Sequence, residues 1–461
     1  MAAKFEGSFE ARLREAAPGV AVHALLDLSE QVDLPRLCLS LHESGRDRRS
    51  RRLAVIGALE RTAERQQALV IPALDAMIAE GALASWTAVA IVNRIVVSGR
   101  PDAILRLAEH PEIARVLPDW NSDGRAASSG EPATPTTLGE SFTSWGVRAT
   151  GAPTLWKEGL DGTGVIVASI DTGVSERHEQ LAGRRLEGSR GWFDPVSGSP
   201  RAADSHGHGT GVLSLAVGGN PSGRIVGMAP GARWASALGL YRNFYSRVRM
   251  TLAADWVLRV ARPDVLVNPW SHNEGACNAF DLPFINAWKA AGIFVVFPAG
   301  NAGPKPASGE APATLGGTFP DRGAVFSVAG LLASGDVLDA SSRGPSLCGA
   351  GRFPSVAAPG ADLPYALAGG PEDYAVGSGT SFASALVGGA AALLLQADPS
   401  LEPDEIERLI ADGCRDLGSP GPDDRSGTGA IDLVRSLELL RRLHPSSRRA
   451  EGSAASVGEH H

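Results

Sequence analysis

The run GVIVASIDTG at residues 164–173 is apolar from Val165 to Ile170 except at Ser169, and then closes on Asp171 and a Thr-Gly pair. A strand that is apolar on both faces must be covered on both, as in a parallel sheet between two layers of helices. The segments DVLVN (264–268), GIFVVFPA (292–299) and AVFSVAG (324–330) repeat the pattern, with helical stretches between them. The expected fold is therefore α/β, a parallel sheet with helices on both faces. Gly162 and Gly164 precede the strand instead of following it, so the stretch does not read as a dinucleotide loop.

The chain has 461 residues, 43% hydrophobic and 20% charged, which suits a globular protein of two or three domains. The formal net charge of -8, with acids and bases interspersed, argues against a nucleic-acid partner. No run of 18 apolar residues occurs, so no membrane span is expected. Cys38, Cys277, Cys348 and Cys414 show neither zinc spacing nor a disulfide framework. They are expected as thiols, partly buried, with pairing of Cys277 and Cys348 left open. The first residues lack the apolar core of a signal peptide. That leaves three expectations open: a cytoplasmic protein, export without a classical signal, or secretion of a chain whose signal is not included here.

Five regions are distinguishable. Residues 1–19 form an N-terminal extension. Residues 20–118 read as β-α-β-α-β: strand 20–28, a long amphipathic helix 51–81, strand 87–99, helix 101–110 and strand 113–119, which suits a small ferredoxin-like α+β domain. Residues 119–141 are rich in Gly, Ser, Pro and Thr and read as an exposed linker. The α/β unit runs from 142 to 443. Residues 444–461 hold nothing to bury and read as a disordered tail.

In an open parallel sheet, chemistry gathers at the carboxyl ends of the strands. Asp171 ends the first. His208 follows in DSHGHGTGVLSLAVGG (204–219), Asn301 in FVVFPAGNAG (294–303), and Ser381 in GSGTSFASALVGG (377–389). These four fit acyl transfer: a nucleophile, a base to take its proton, a carboxylate to fix the base's tautomer, and an oxyanion donor. Each has a plainer reading. Ser381 is a good helix cap, Asn301 suits a turn between glycines, and His206 with His208 suggests a rival base or a metal pair. Asp204 is either a loop acid or a charge lining a cleft.

Taken together, the motifs IDTGV, GHGTGVLS, PAGNAG and GTSFASALVGG, in that order, resemble the subtilisin family of serine peptidases over roughly residues 140–443. The resemblance implies a Ser/His/Asp triad of Ser381, His208 and Asp171, with Asn301 in the oxyanion hole. His206, Trp270, Ser271 and Gly300 would line the substrate cleft, and protein or peptide substrates are implied. The 20–118 domain resembles that family's propeptide in size, order and position. This implies an intramolecular inhibitor released by self-cleavage in the linker, and an enzyme expected as a monomer. The rivals are a silent peptide-binding scaffold and a protease dedicated to one protein. Three departures stand out: Ala385 replaces the Pro of the Ser motif, VNPWSHNEG (267–275) replaces the usual cleft strand, and the family's calcium positions hold Gln180 and Pro221. No metal or other cofactor is expected, since losing a charge and a side-chain oxygen weakens a hard-cation site.

Overall fold

The computed structural model describes residues 4–17, 19–119, 121–122, 134–139, 141–219, 222–272, 277–315, 325–349 and 352–445. Its centre is a seven-stranded sheet in the spatial order Val356–Pro359, Phe326–Leu331, Phe294–Pro298, Val265–Val267, Ile166–Asp171, Arg233–Leu238 and Trp192–Phe193. All six pairings are parallel. The four strands anticipated from apolar runs are adjacent. The other three are flanking strands that the apolar-run pattern did not mark.

Side chains alternate between two cores, as the period of a strand requires. Val167, Val265, Val267, Phe294 and Val296 join the helices His208–Val217, Thr380–Ala397, Pro403–Gly413 and Leu433–Leu443. Ala168, Ile170, Leu266, Val295 and Phe297 face the helices Arg247–Trp256 and Leu282–Ala290. Helix Thr380–Ala397 is uncharged because it runs through the first core, buried from Thr380 to Leu395. Its two glycines permit that depth. A Cβ at Gly388 would lie 2.4 Å from Val267 Cγ2, and one at Gly389 2.4 Å from the Ala216 carbonyl oxygen. It is also the one helix among the described residues long and apolar enough to cross a bilayer, and 89% of that window is buried.

The N-terminal unit has an antiparallel sheet ordered Leu83–Val89, Arg94–Gly99, Val22–Leu28, Ile113–Pro118. The single strand expected over 87–99 is instead the end of one strand, a turn through Ala90–Asn93, and a second strand, with Asn93 in the left-handed region at φ 40°. The apolar runs on both sides of Asn93–Arg94 concealed the hairpin. With helices Arg48–Ala79 and Pro101–Ala108 the order becomes βαββαβ, the full ferredoxin-like pattern. Two further helices add to it. Leu34–Glu43 precedes the long helix, and Phe9–Glu15, inside the 1–19 extension, buries Phe9 and Leu13 in the domain's core.

This unit lies on the helices of the second core. Val89, Ile91, Val92 and Val96 share a cluster with Met250, Ala254, Phe284 and Trp288. Asp255 accepts hydrogen bonds from Ala90 N–H (3.0 Å) and Ile91 N–H (2.9 Å), and Asp119 accepts from Val248 N–H (3.2 Å) and Ser246 Oγ (2.9 Å) at a helix start. Arg48 and Arg52 reach the carbonyls of Gly292 and Ala291 and pair with Asp264. Of the linker, Asn121–Ser122 pairs with Tyr245–Ser246, and Thr134–Thr136 with Tyr374–Gly377. Its remaining stretches, 120, 123–133 and 140, and the tail from 446 lie outside the described residues.

The cysteine expectation is corrected. Cys277 and Cys348 form a disulfide, with Cα atoms 5.0 Å apart and a sequence separation of 71. Each sits on a loop that only the folded sheet brings near the other, so spacing could not reveal the pair. Cys38 and Cys414 are outside any disulfide.

Candidate active site

Asp171 is the last residue of its strand and fully buried; Thr172 N–H donates to it at 2.6 Å. His208 opens helix His208–Val217, and its Nδ1 lies 2.8 and 3.0 Å from the two Asp171 oxygens. An Nδ1–H directed at the carboxylate leaves Nε2 as the basic lone pair. Burial pushes the Asp171 carboxyl above the usual range and nearby Asp204 adds to this, while the His208 charge and hydrogen bond and the Thr172 N–H oppose it. The close approach depends on Gly209, where a Cβ would stand 2.1 Å from the Gly173 carbonyl.

Asp204 has a definite place. It accepts from the backbone N–H groups of His206, Gly207 and Thr210 at 3.0, 2.7 and 2.8 Å, and from the hydroxyls of Thr172 and Thr210. It thus satisfies orphan donors at the helix start and fixes the turn that carries His208. His206 is exposed beside that turn.

Ser381 is the second residue of its helix, behind Gly379 at the cap position, so its hydroxyl is not spent on capping. Ser381 Oγ donates to the Pro269 carbonyl at 3.0 Å. Asn301 follows the strand Phe294–Pro298, and its Oδ1 accepts from Thr380 N–H and Thr380 Oγ1, both at 3.0 Å. That contact fixes the amide's orientation and leaves Nδ2 as the outward donor. Asn301 Nδ2 and His208 Nε2 are buried without a hydrogen-bond partner among the described residues.

The sheet register joins the two halves. Val267 pairs with Ser169, so Pro269 and Asp171 are each two residues further along neighbouring strands, and the strand leading to Asn301 lies next to that of Pro269. Gly300 is in the left-handed region at φ 102°. Ser271 donates to Glu310 at 2.5 Å. Trp270 is placed otherwise than expected: it is fully buried, with its ring on Tyr245 and Phe297, so it supports the cleft from the core and does not line it. Behind it, buried His272 Nε2 lies 2.8 Å from Asp281, which also accepts from the Tyr245 hydroxyl. That support was not foreseen from sequence.

The sequence pattern of the subtilase family matches residues 162–429, more than half of the chain. The chain belongs to the subtilase family. Bacillopeptidase F of Bacillus subtilis (strain 168) is 29% identical over 438 residues, covering 89% of this chain and 30% of that protein. Subtilisin-like protease SBT6.1 of Arabidopsis thaliana is 29% identical over 317 residues, 64% of this chain and 28% of that protein. Subtilisin BL of Lederbergia lenta is 29% identical over 275 residues, 60% of this chain and 92% of that protein. The chain thus spans less than a third of bacillopeptidase F and of SBT6.1.

Subtilases often bind calcium, and the position where the resemblance puts a carboxylate ligand can be tested. Gln180 donates its amide to the Arg224 carbonyl (2.7 Å) and the Tyr374 hydroxyl (2.8 Å), and its oxygen accepts from Val226 N–H (3.3 Å). The Arg224 guanidinium pairs with Glu179 and Glu372 beside it. A spent amide next to a guanidinium does not fit a hard cation. Pro221 lies outside the described residues. Chelation with EGTA is accordingly expected to leave the melting temperature nearly unchanged. A tight site at a thousand-fold saturation would contribute about 4 kcal/mol, so a fall of several degrees would overturn this reading.

Proposed function

We propose that this subtilase is a serine endopeptidase, made as a self-inhibited precursor that cuts its own linker. Ser381 Oγ turns from Pro269 to His208 Nε2 as substrate binds, in keeping with catalytic hydrogen bonds that tighten only in the complex. It attacks the scissile carbonyl while His208 takes its proton, and Asp171 stabilises the resulting imidazolium. The carbonyl oxygen gains the negative charge between Asn301 Nδ2 and the Ser381 backbone N–H. His208 then protonates the departing amine, leaving an acyl-enzyme that water hydrolyses by the same route in reverse.

The observation that carries this reading is the pair of buried, unpartnered groups, His208 Nε2 and Asn301 Nδ2. An unsatisfied buried polar group costs about 1–3 kcal/mol, so two of them, one on the imidazole held by Asp171 and one on the amide held by Thr380, argue for a ligand that completes both. The test is labelling with a fluorophosphonate after incubation, with a digest of denatured casein alongside. Labelling that disappears in Ser381→Ala, with many casein products, is expected. No labelling favours the silent scaffold, and labelling with casein left intact favours a dedicated protease.

A further inference from the structure

The reading as a peptidase leaves the substrate open, and one side chain near the nucleophile has no part in the triad. Glu310 is half-buried, and its Oε2 accepts from Ser271 Oγ. The same oxygen lies 3.5 Å from where a Cβ on Gly300 would stand. Ser271 is two residues from the carbonyl that holds Ser381 Oγ, and Gly300 is the neighbour of Asn301. His272 N–H donates to the Ala311 carbonyl at 3.1 Å, so the segment carrying Ser271 and the one carrying Glu310 are joined backbone to backbone. Cys277, five residues after His272, is held to Cys348 by the disulfide. Glu310 forms no ion pair among the described residues, and the neutral Ser271 hydroxyl is its one hydrogen-bond partner there.

A carbonyl attacked by Ser381 and held by Asn301 fixes where its own residue's side chain goes. On the peptidase reading that side chain would leave from the adjacent carbon toward the segments beside Ser381 Oγ and Asn301, 269–271 and 299–301. The carboxylate of Glu310 bridges these two. An apolar side chain seated there would strip water from an unpaired charge, whereas a cation would pair with it. A pocket carboxylate selects Lys or Arg in trypsin by the same physics.

We propose that Glu310 is a specificity-determining residue that receives the charged end of a Lys or Arg immediately before the scissile bond, making basic peptides the substrate class. This rests on the peptidase reading above. The chain's own linker has a matching residue, since Arg125 is the only Lys or Arg between 119 and 141. A preference for a basic residue before the cut then sets the self-cleavage between Arg125 and Ala126.

The test compares kcat/KM for peptide nitroanilides that differ only in the residue before the cut: Arg, Lys, Leu, Phe or Glu. The wild type is expected to favour Arg over Leu by about 30-fold or more, the scale of a buried charge pair. In Glu310→Gln the Arg-to-Leu ratio falls to within about threefold, Glu310→Asp keeps its direction, and Glu310→Lys moves the preference toward Glu. Edman sequencing of the processed wild type should begin at Ala126. Fluorophosphonate labelling shows in every variant whether the site is assembled. A labelled wild type that prefers Leu or Phe, a labelled Glu310→Gln that keeps the Arg preference, or a processed chain beginning after a non-basic residue overturns this proposal alone. A wild type that neither labels nor cleaves any peptide overturns the peptidase reading and this one with it.

Discussion

His208→Ala and Ser381→Ala are each expected to lower turnover of a small peptide substrate by about 10⁶-fold, a scale taken over from subtilisin, while His206→Ala is expected to stay near wild type. The asymmetry between the two histidines follows from their surroundings. His208 is buried with Nδ1 on Asp171, whereas His206 is exposed and contributes its backbone N–H to Asp204. Without His208 the serine proton has no acceptor of suitable basicity. Without Ser381 there is no acyl-enzyme. Asn301→Ala is expected to cost about 10² to 10³ in kcat, the loss for one oxyanion donor in subtilisin, with KM little changed because the developing charge exists only in the transition state. Steady-state kinetics on a nitroanilide checks all four variants. Near-normal turnover in His208→Ala together with a collapse in His206→Ala would exchange the assignments.

The residues proposed for the chemistry could be picked out of the sequence for a physical reason. Asp171, His208, Asn301 and Ser381 each stand beside glycines or small residues, because strand ends and helix starts must approach closely at the sheet rim. Gly209 against Gly173 shows this in the structure. The groups that position them are of a different kind. Asp204 owes its role to five donors contributed by residues 172 to 210, and Glu310 meets Ser271 only through the fold. No local pattern encodes such contacts. Trp270 was misplaced because a large side chain next to a cleft segment reads the same in sequence whether it faces the substrate or the core.

The precursor is expected to cut itself between Trp120 and Ser141, releasing an N-terminal fragment of about 120–140 residues that stays bound and suppresses activity. The N-terminal unit covers the helices Arg247–Trp256 and Leu282–Ala290 with a shared apolar cluster, and Asp119 and Asp255 join it to the first of these across hydrogen bonds. None of these contacts needs the linker to be intact. The pairing of Asn121–Ser122 with Tyr245–Ser246 is a further contact that cleavage beyond Ser122 would leave with the fragment. Ser381→Ala should accumulate as the intact chain. The fragment isolated from the processed complex and added back to active enzyme should inhibit it. Salt should speed its release, because Arg259 pairs with Glu60 at 2.8 Å in a partly exposed ion pair and Arg51 pairs with Glu402 across the same junction. Asp255→Ala strands the N–H groups of Ala90 and Ile91 and should weaken the fragment's hold by about tenfold or more. A wild type that stays full length through purification and is fully active in that state would make the N-terminal unit a docking domain and not an inhibitor.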